Sequence, residues 1–161
     1  MSTSKAETEA ANRREYWPSL LEMSAQEVFA LMLGDILESA AEPAVQDSLD
    51  VTAMVGLAGA LCGVLTLRCS SQCATMMATK MLGAEAPGSK GQMEDAVGEV
   101  CNMVAGNFKN KISGISDGCK LSVPTVITGS NYNLCTLAND CSIEVNVLFH
   151  GSPVVISLQL N

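Results

Sequence analysis

The sequence predicts an α+β domain built on a largely antiparallel sheet. Three observations carry that expectation. Segments with helical spacing and short β-type runs follow one another in the order helix, two strands, helices, three strands. A Gly-rich turn divides an uncharged stretch into two strands, and a capping-box pattern opens one long amphipathic segment.

The chain has 161 residues, is 48% hydrophobic and 16% charged, and carries a formal net charge of −8. That length suits one domain with its own core, and the apolar content excludes disorder for most of it. Nine Lys+Arg against seventeen Asp+Glu argue against nucleic acid or anionic lipid as the main partner, since both require a cationic face. Aromatics make up only 4%, so the core is built from Val, Leu, Ile, Met and Ala rather than from stacked rings.

Residues 1–18 read as a polar N-terminal tail without an apolar leader, with Tyr16 and Trp17 able to dock on a single domain over 19–161. A first helix is predicted over 19–38, with Leu21, Val28, Leu31, Met32 and Ile36 as its stripe. A connector with Pro43 follows. The uncharged run Val51–Leu67 is too short and glycine-rich for a membrane span. Its alternation predicts strands near 50–57 and 62–69 instead. Ser70-Ser71 cap a short helix over 72–82, which Gly83 ends, and 84–90 is a loop.

The long helix is predicted at about 90–112. Ser89 and Gln92 form the capping box, Glu94 and Asp95 place negative charge in the first turn, Lys109 and Lys111 lie at the other end, and Gly114 terminates. Strands then follow over 120–128, 140–149 and 154–160, divided by turns at Gly129-Ser130-Asn131, Asn139-Asp140 and Gly151-Ser152-Pro153. Superposing Leu33-Gly34-Asp35 on Ala105-Gly106-Asn107 aligns the stripes of the two longer helices, which hints at an internal repeat.

Seven cysteines at irregular spacing form neither a disulfide framework nor a zinc pattern. They read as reduced core residues of a cytoplasmic protein, with Cys69 and Cys73 on one helix face and Cys135 and Cys141 on a strand pair; a redox sensor is the alternative. His150 is the only histidine and sits at a turn, so no Ser/His/acid or Cys/His set can be assembled. Met76, Met77 and Met81 read as gap-filling core.

At 100° per residue, Val97, Val100, Cys101, Val104 and Phe108 form the core stripe of the long helix. Asp95, Glu99, Asn102 and Gly106 line the opposite side, with Gly98 at its edge. Each interior glycine costs about 1 kcal/mol relative to alanine. Either a partner surface comes close to the helix at Gly98 and Gly106, or a neighbouring element packs there.

Asp95, Glu99, Asn102 and Pro124 fit the D-x3-E-x2-N-x21-P spacing of the CheC/CheX/FliY family of chemotaxis phosphatases. The text from Glu94 to Gly106, with Met81-Leu82-Gly83 and Leu121-Ser122-Val123-Pro124, resembles CheX in particular, and the resemblance covers roughly residues 19–160. It implies a CheC-like/CheX-like pseudo-repeat and hydrolysis of the aspartyl phosphate on a CheY-like receiver domain; the alternative is a non-catalytic CheX-like module that binds a receiver or signalling complex. Asn102 then positions a water, Glu99 pairs with a receiver lysine, Asp95 and Pro124 support, and Gly98 and Gly106 admit the partner. The Mg²⁺ is the receiver's, so no metal or cofactor of this chain is implied. The repeat sets Met23 against Asp95, Glu27 against Glu99 and Ala30 against Asn102, so the first helix keeps a carboxylate but lacks the amide. That single motif favours CheX over CheC, and the family's habit implies a homodimer joined through sheet edges.

Overall fold

The computed structural model describes residues 14–45, 48–83, 89–112, 118–130, 132 and 141–161. Three helices, α1 (Trp17–Leu33), α2 (Ser71–Leu82) and α3 (Lys90–Lys111), pack on an antiparallel sheet. Its strands are β1 (Glu38–Ser39), β2 (Val51–Gly59), β3 (Gly63–Cys69), β4 (Cys119–Leu121), β5 (Thr125–Thr128), β6 (Cys141–Phe149) and β7 (Ser152–Leu160). This is the α+β architecture that the element order predicts.

The strand order is β1-β6-β7-β3-β2-β4, with β5 also on β2. That order is palindromic about the β7–β3 pair, where Leu67 faces Ile156 and Thr66 faces Ser157. Each half supplies a helix, a hairpin and a short strand that pairs with the other half's hairpin: β1 with β6, β4 and β5 with β2. The repeat hinted at by two helix stripes is therefore present in the topology.

The uncharged stretch is the β2–β3 hairpin, paired from Val51↔Cys69 to Leu57↔Gly63. No helix among the described residues is long and apolar enough to cross a membrane. Alternate residues of the central strands, including Val55, Leu65, Leu67, Ile156 and Leu158, face the helices and are fully buried.

Helix α1 begins at Trp17, not Ser19, and ends at Leu33, not Glu38. Gly34 adopts the left-handed conformation (φ 69°) and returns its N–H to Ala30 O at 3.1 Å. Trp17 is buried edge-on to Phe108, with ring centroids 6.0 Å apart, and Arg14 stacks over its outer face. The core face is Leu21, Ala25, Val28, Phe29 and Leu33. Leu31 and Ile36, expected in the stripe, are 78% and 82% exposed. The helix stops before Ile36, and Glu38–Ser39 pair with Leu148 and Val147 as a strand instead.

Ser70 caps α2 by accepting from Cys73 N, and Asp50 adds a bond from Ser71 N at 2.7 Å. Cys69 and Cys73 do not share a helix face: one ends β3, the other lies in the first turn of α2, and both are buried. The region predicted as one strand over 120–128 is two, broken at Ser122–Pro124. Pro124 has no N–H for a ladder, while Ser122 exchanges bonds with Gly56 (N–H to O, 2.9 Å; Gly56 N–H to Oγ, 2.8 Å). The final hairpin turns at His150-Gly151, both at positive φ, so Ser152 and Pro153 already belong to β7. Gly114, Cys135 and the Asn139-Asp140 turn lie outside the described residues, as does the side chain of Cys141.

Two ionic ties hold the helices. Asp35 Oδ2 accepts from Lys80 Nζ at 2.7 Å and from His150 Nε2 at 3.0 Å, linking the end of α1 to α2 and to the β6–β7 turn. Glu27 accepts from Lys111 Nζ (2.8 and 3.0 Å) and Asn107 Nδ2 (2.8 Å), tying α1 to α3. The hydrogen bond from Lys111, then that from Asn107, holds the Glu27 carboxyl below its ordinary 4.5. A depressed carboxyl stabilises the fold above the unfolded value, and that contribution fades as pH falls through the lowered one. Lys111→Met is therefore expected to lower the melting temperature at pH 7 but progressively less as pH drops below 4.5, as read by circular-dichroism melts of both proteins.

Candidate functional site

Helix α3 positions the candidate residues, and its rotation is set by what it buries. Val97, Val100, Cys101, Val104 and Phe108 are all 0% exposed against the sheet and α1. Each such Val or Phe contributes about 1.5–3 kcal/mol by leaving water. The capping box starts the helix: Ser89 N–H donates to Gln92 Oε1 at 2.9 Å, and Gln92 N–H to Ser89 Oγ at 3.3 Å. Glu94 and Asp95 fall in the second turn, not the first, because the helix begins at Lys90.

With the core stripe turned inward, Asp95 and Glu99 are exposed and Asn102 and Gly106 half-buried on the outer side. Glu99 and Asn102 are three residues apart, about 4.5 Å along the axis and on neighbouring positions of one face. Among the described residues no hydrogen bond or ion pair engages the side chain of Asp95, Glu99 or Asn102. Glu94 alone in this region is paired, with Lys90 at 3.9 Å.

Asp95, Gly98, Glu99 and Pro124 come together around one open cleft of about 440 Å³, completed by Glu94, Val123 and Val126. Asn102 and Gly106 line the next groove along the helix, shared with α1. On the far side, Asp95 and Glu99 border a smaller recess with Met81 and Leu82 at the end of α2. The helix thus presents Glu99 and Asn102 as a ridge between shallow depressions rather than inside a pocket.

The two glycines separate in role. A Cβ at Gly98 would stand 3.3 Å from Val126 Cγ2 and 3.4 Å from Pro124 Cβ, so the surface that approaches the helix there is the chain's own β5 segment. Gly98 is buried and is not open to a partner. A Cβ at Gly106 would meet only Leu121 Cδ1, at an ordinary 3.8 Å, facing the open groove. Pro124 lies on the helix beside Glu99 because the Ser122–Gly56 bonds hold the break in the strand.

Sequence reasoning missed Val123 and Leu31, which are 84% and 78% exposed beside the stripe. Pro124 in an otherwise β-type run was the available signal for the first, since proline is confined to strand edges and breaks. Leu31 shares the helical spacing of core residues, so periodicity could not separate it.

The sequence matches the family profile described as Chemotaxis phosphatase CheX over residues 51–148, more than half of the chain, a span that holds Asp95, Glu99, Asn102 and Pro124. The chain belongs to the CheX family. No curated protein sequence matches it. Solved CheX structures share its fold. CheX from Vibrio vulnificus superposes with a TM-score of 0.76 at 20% identity, covering 90% of this chain and 96% of that one. CheX from Desulfovibrio desulfuricans gives 0.75 at 22%, covering 90% and 99%. The CheX–CheY–BeF3–Mg²⁺ complex from Borrelia burgdorferi gives 0.66 at 21%, covering 89% and 96%.

Thiol chemistry finds no support in the described cysteines. Cys69, Cys73, Cys101 and Cys119 are buried and free, and only Cys62 is exposed. Burial pushes the Cys101 thiol up to about 12, and hydrogen bonding with Cys73 that favours the protonated thiol, together with burial, raises Cys69. Thiols raised in this way are protonated at neutral pH and poor nucleophiles. Iodoacetamide labelling of the native protein followed by peptide mapping is expected to modify Cys62 and spare those four, until denaturant is added.

The glycine geometry gives a second expectation. Gly98→Val is expected to destabilise by about 1–3 kcal/mol, because Pro124 and Val126 occupy the space its side chain needs. Gly106→Ala is expected to stabilise by about 0.5–1 kcal/mol, since helix propensity rises with no clash. Urea titrations of the two variants check both signs.

Proposed function

We propose that this CheX-family protein accelerates hydrolysis of the aspartyl phosphate on a CheY-like receiver domain. The observation that carries the reading is the contrast between the two halves. On α3, Glu99 and Asn102 share an outward ridge with no partner among the described residues, whereas Glu27, the repeat counterpart of Glu99, is taken up by Lys111 and Asn107, and Ala30 stands in place of the amide. One half is left open for a substrate and the other is closed into the fold. The CheX of Borrelia burgdorferi solved with CheY, BeF3 and Mg²⁺ supports a receiver as the partner.

An acyl phosphate held in a receiver domain arrives with its own Mg²⁺ and lysine, so the substrate brings the charge neutralisation. What remains is to hold a water in line with phosphorus, a positioning task comparable to that of glutamine in GTPases. The Asn102 carboxamide accepts and donates hydrogen bonds without titrating. It orients the water that attacks phosphorus; the bond from phosphorus to the aspartyl oxygen breaks, releasing inorganic phosphate and a free carboxylate. Glu99, one turn earlier, meets the receiver's lysine and sets the docking register. Asp95 supports the N-terminal part of the ridge and Pro124 braces the helix beside Glu99. The ridge suits a protein substrate whose reacting group lies in a recess with its own walls better than a small molecule, which needs enclosure. In this reading the enzyme is cytoplasmic, supplies no cofactor, and works as a homodimer of one domain spanning 19–161.

Asn102→Ala is expected to lower the accelerated decay of a phosphorylated receiver by about tenfold or more, with melting temperature and circular dichroism unchanged. Glu99→Ala is expected to lower the rate and weaken docking together. Following loss of radiolabelled phosphate from a panel of CheY-type receivers checks both; decay unaltered by the wild-type protein across the panel overturns the proposal.

A further inference from the structure

The surface around Asn102 is divided in character. Toward the start of α3 it is anionic, with Asp95 and Glu99 free of internal partners. Toward α1 it is a mainly apolar groove of about 430 Å³, walled by Leu31, Met103 and Leu121, with the uncharged amides Asn102, Asn107 and Asn110 along it. The one carboxylate at that rim, Glu27, is neutralised by Lys111. Leu31 stands 78% exposed on its wall, a large apolar side chain held by a rigid helix and left open by the described residues.

We infer that the Leu31 groove is the docking surface for the receiver domain itself, seating an apolar segment that lies beside the phosphorylated aspartate. The inference rests on the proposed reaction and adds the surface that selects the partner. The occupant follows from position and charge. Asn102 lines the groove, so a folded partner that brings a phosphoryl group to its carboxamide covers the groove in the same act. A cationic flank of that partner faces Glu99, while the groove, whose carboxylate Glu27 is already paired with Lys111, seats an apolar side chain. The missing side chain at Gly106 gives the groove depth, its nearest neighbour being Leu121 Cδ1 at 3.8 Å. Leu31 touches neither phosphorus nor water in this arrangement. It is a specificity-determining residue that acts on association and not on chemistry.

Leu31→Glu, on a solvent-facing helix position, is expected to raise the KM for the phosphorylated receiver by about tenfold or more, with kcat held within about twofold. Leu31→Met is expected to restore the wild-type KM. Val45→Glu, at a residue 72% exposed and outside the groove, is expected to change neither. Calorimetric titration with a receiver held in its beryllofluoride form separates this idea from the reaction: loss of affinity in Leu31→Glu supports the groove even where no variant hydrolyses phosphate. Equal affinity of Leu31→Glu and wild type overturns it, as does a fall in kcat at constant KM. A changed oligomeric state by sedimentation, with receiver affinity intact, assigns the groove to contact between copies of this chain and overturns it too.

Discussion

The structure depends on the rotation of one helix. α3 buries Val97, Val100, Cys101, Val104 and Phe108 completely, and those positions leave no freedom in how the helix turns about its axis. A twist of one residue, about 100°, would bring a charged or amide side chain into the core and put valines in water. The direction in which Glu99 and Asn102 point is therefore a by-product of apolar burial on the opposite side. The capping box at Ser89 and Gln92 sets where the helix starts, and the core sets how it is turned. A site on such a helix is rigid without any hydrogen bond of its own, which suits side chains that must remain unpartnered until a substrate arrives.

The palindromic sheet explains why a second helix lies beside the first, and chemistry at single positions explains why the two are unlike. Both halves place a carboxylate at the same point of the repeat. In the second half Glu99 has no partner among the described residues. In the first, Lys111 and Asn107 of α3 reach across to Glu27 and turn it into a tie between helices. The same functional group thus faces outward in one half and serves cohesion in the other. The second tie, through Asp35, Lys80 and His150, fastens the far end of α1 to α2 and the last hairpin. Together they brace both helices that border the ridge.

Backbone breaks shape the surroundings of the site. Ser122–Pro124 interrupts what would be a continuous edge strand, and the interruption carries Pro124 onto Gly98 and Val123 into solvent. A regular strand would keep its side chains alternating across the sheet and would not lean on the helix beside Glu99. Gly98 lets that segment lie close, since even a Cβ there would stand only 3.3 Å from Val126 and 3.4 Å from Pro124, so its helix-propensity cost is offset by internal packing rather than by a visiting partner. Gly106 carries no such internal demand.

The sequence by itself determined the fold class, the limits of α2, α3 and the central hairpin, and the four motif positions. Those signals are local: a cap and its reciprocal residue, a Gly at a helix end, an alternation of two, a spacing along one helix face. The boundary of α1 was blurred because Ile36, four residues after Met32, continues a helical spacing past the glycine that ends the helix. The strand of 120–128 was read as unbroken because its apolar pattern outweighed one proline. Only the tertiary structure decided that Gly98 faces its own chain, that Glu27 is captured from 84 residues away, and that Leu31 stands in the open beside Asn102. Each of those outcomes depends on which distant segment arrives at a given helix face, and pairings across the fold leave no trace in the periodicity of either partner.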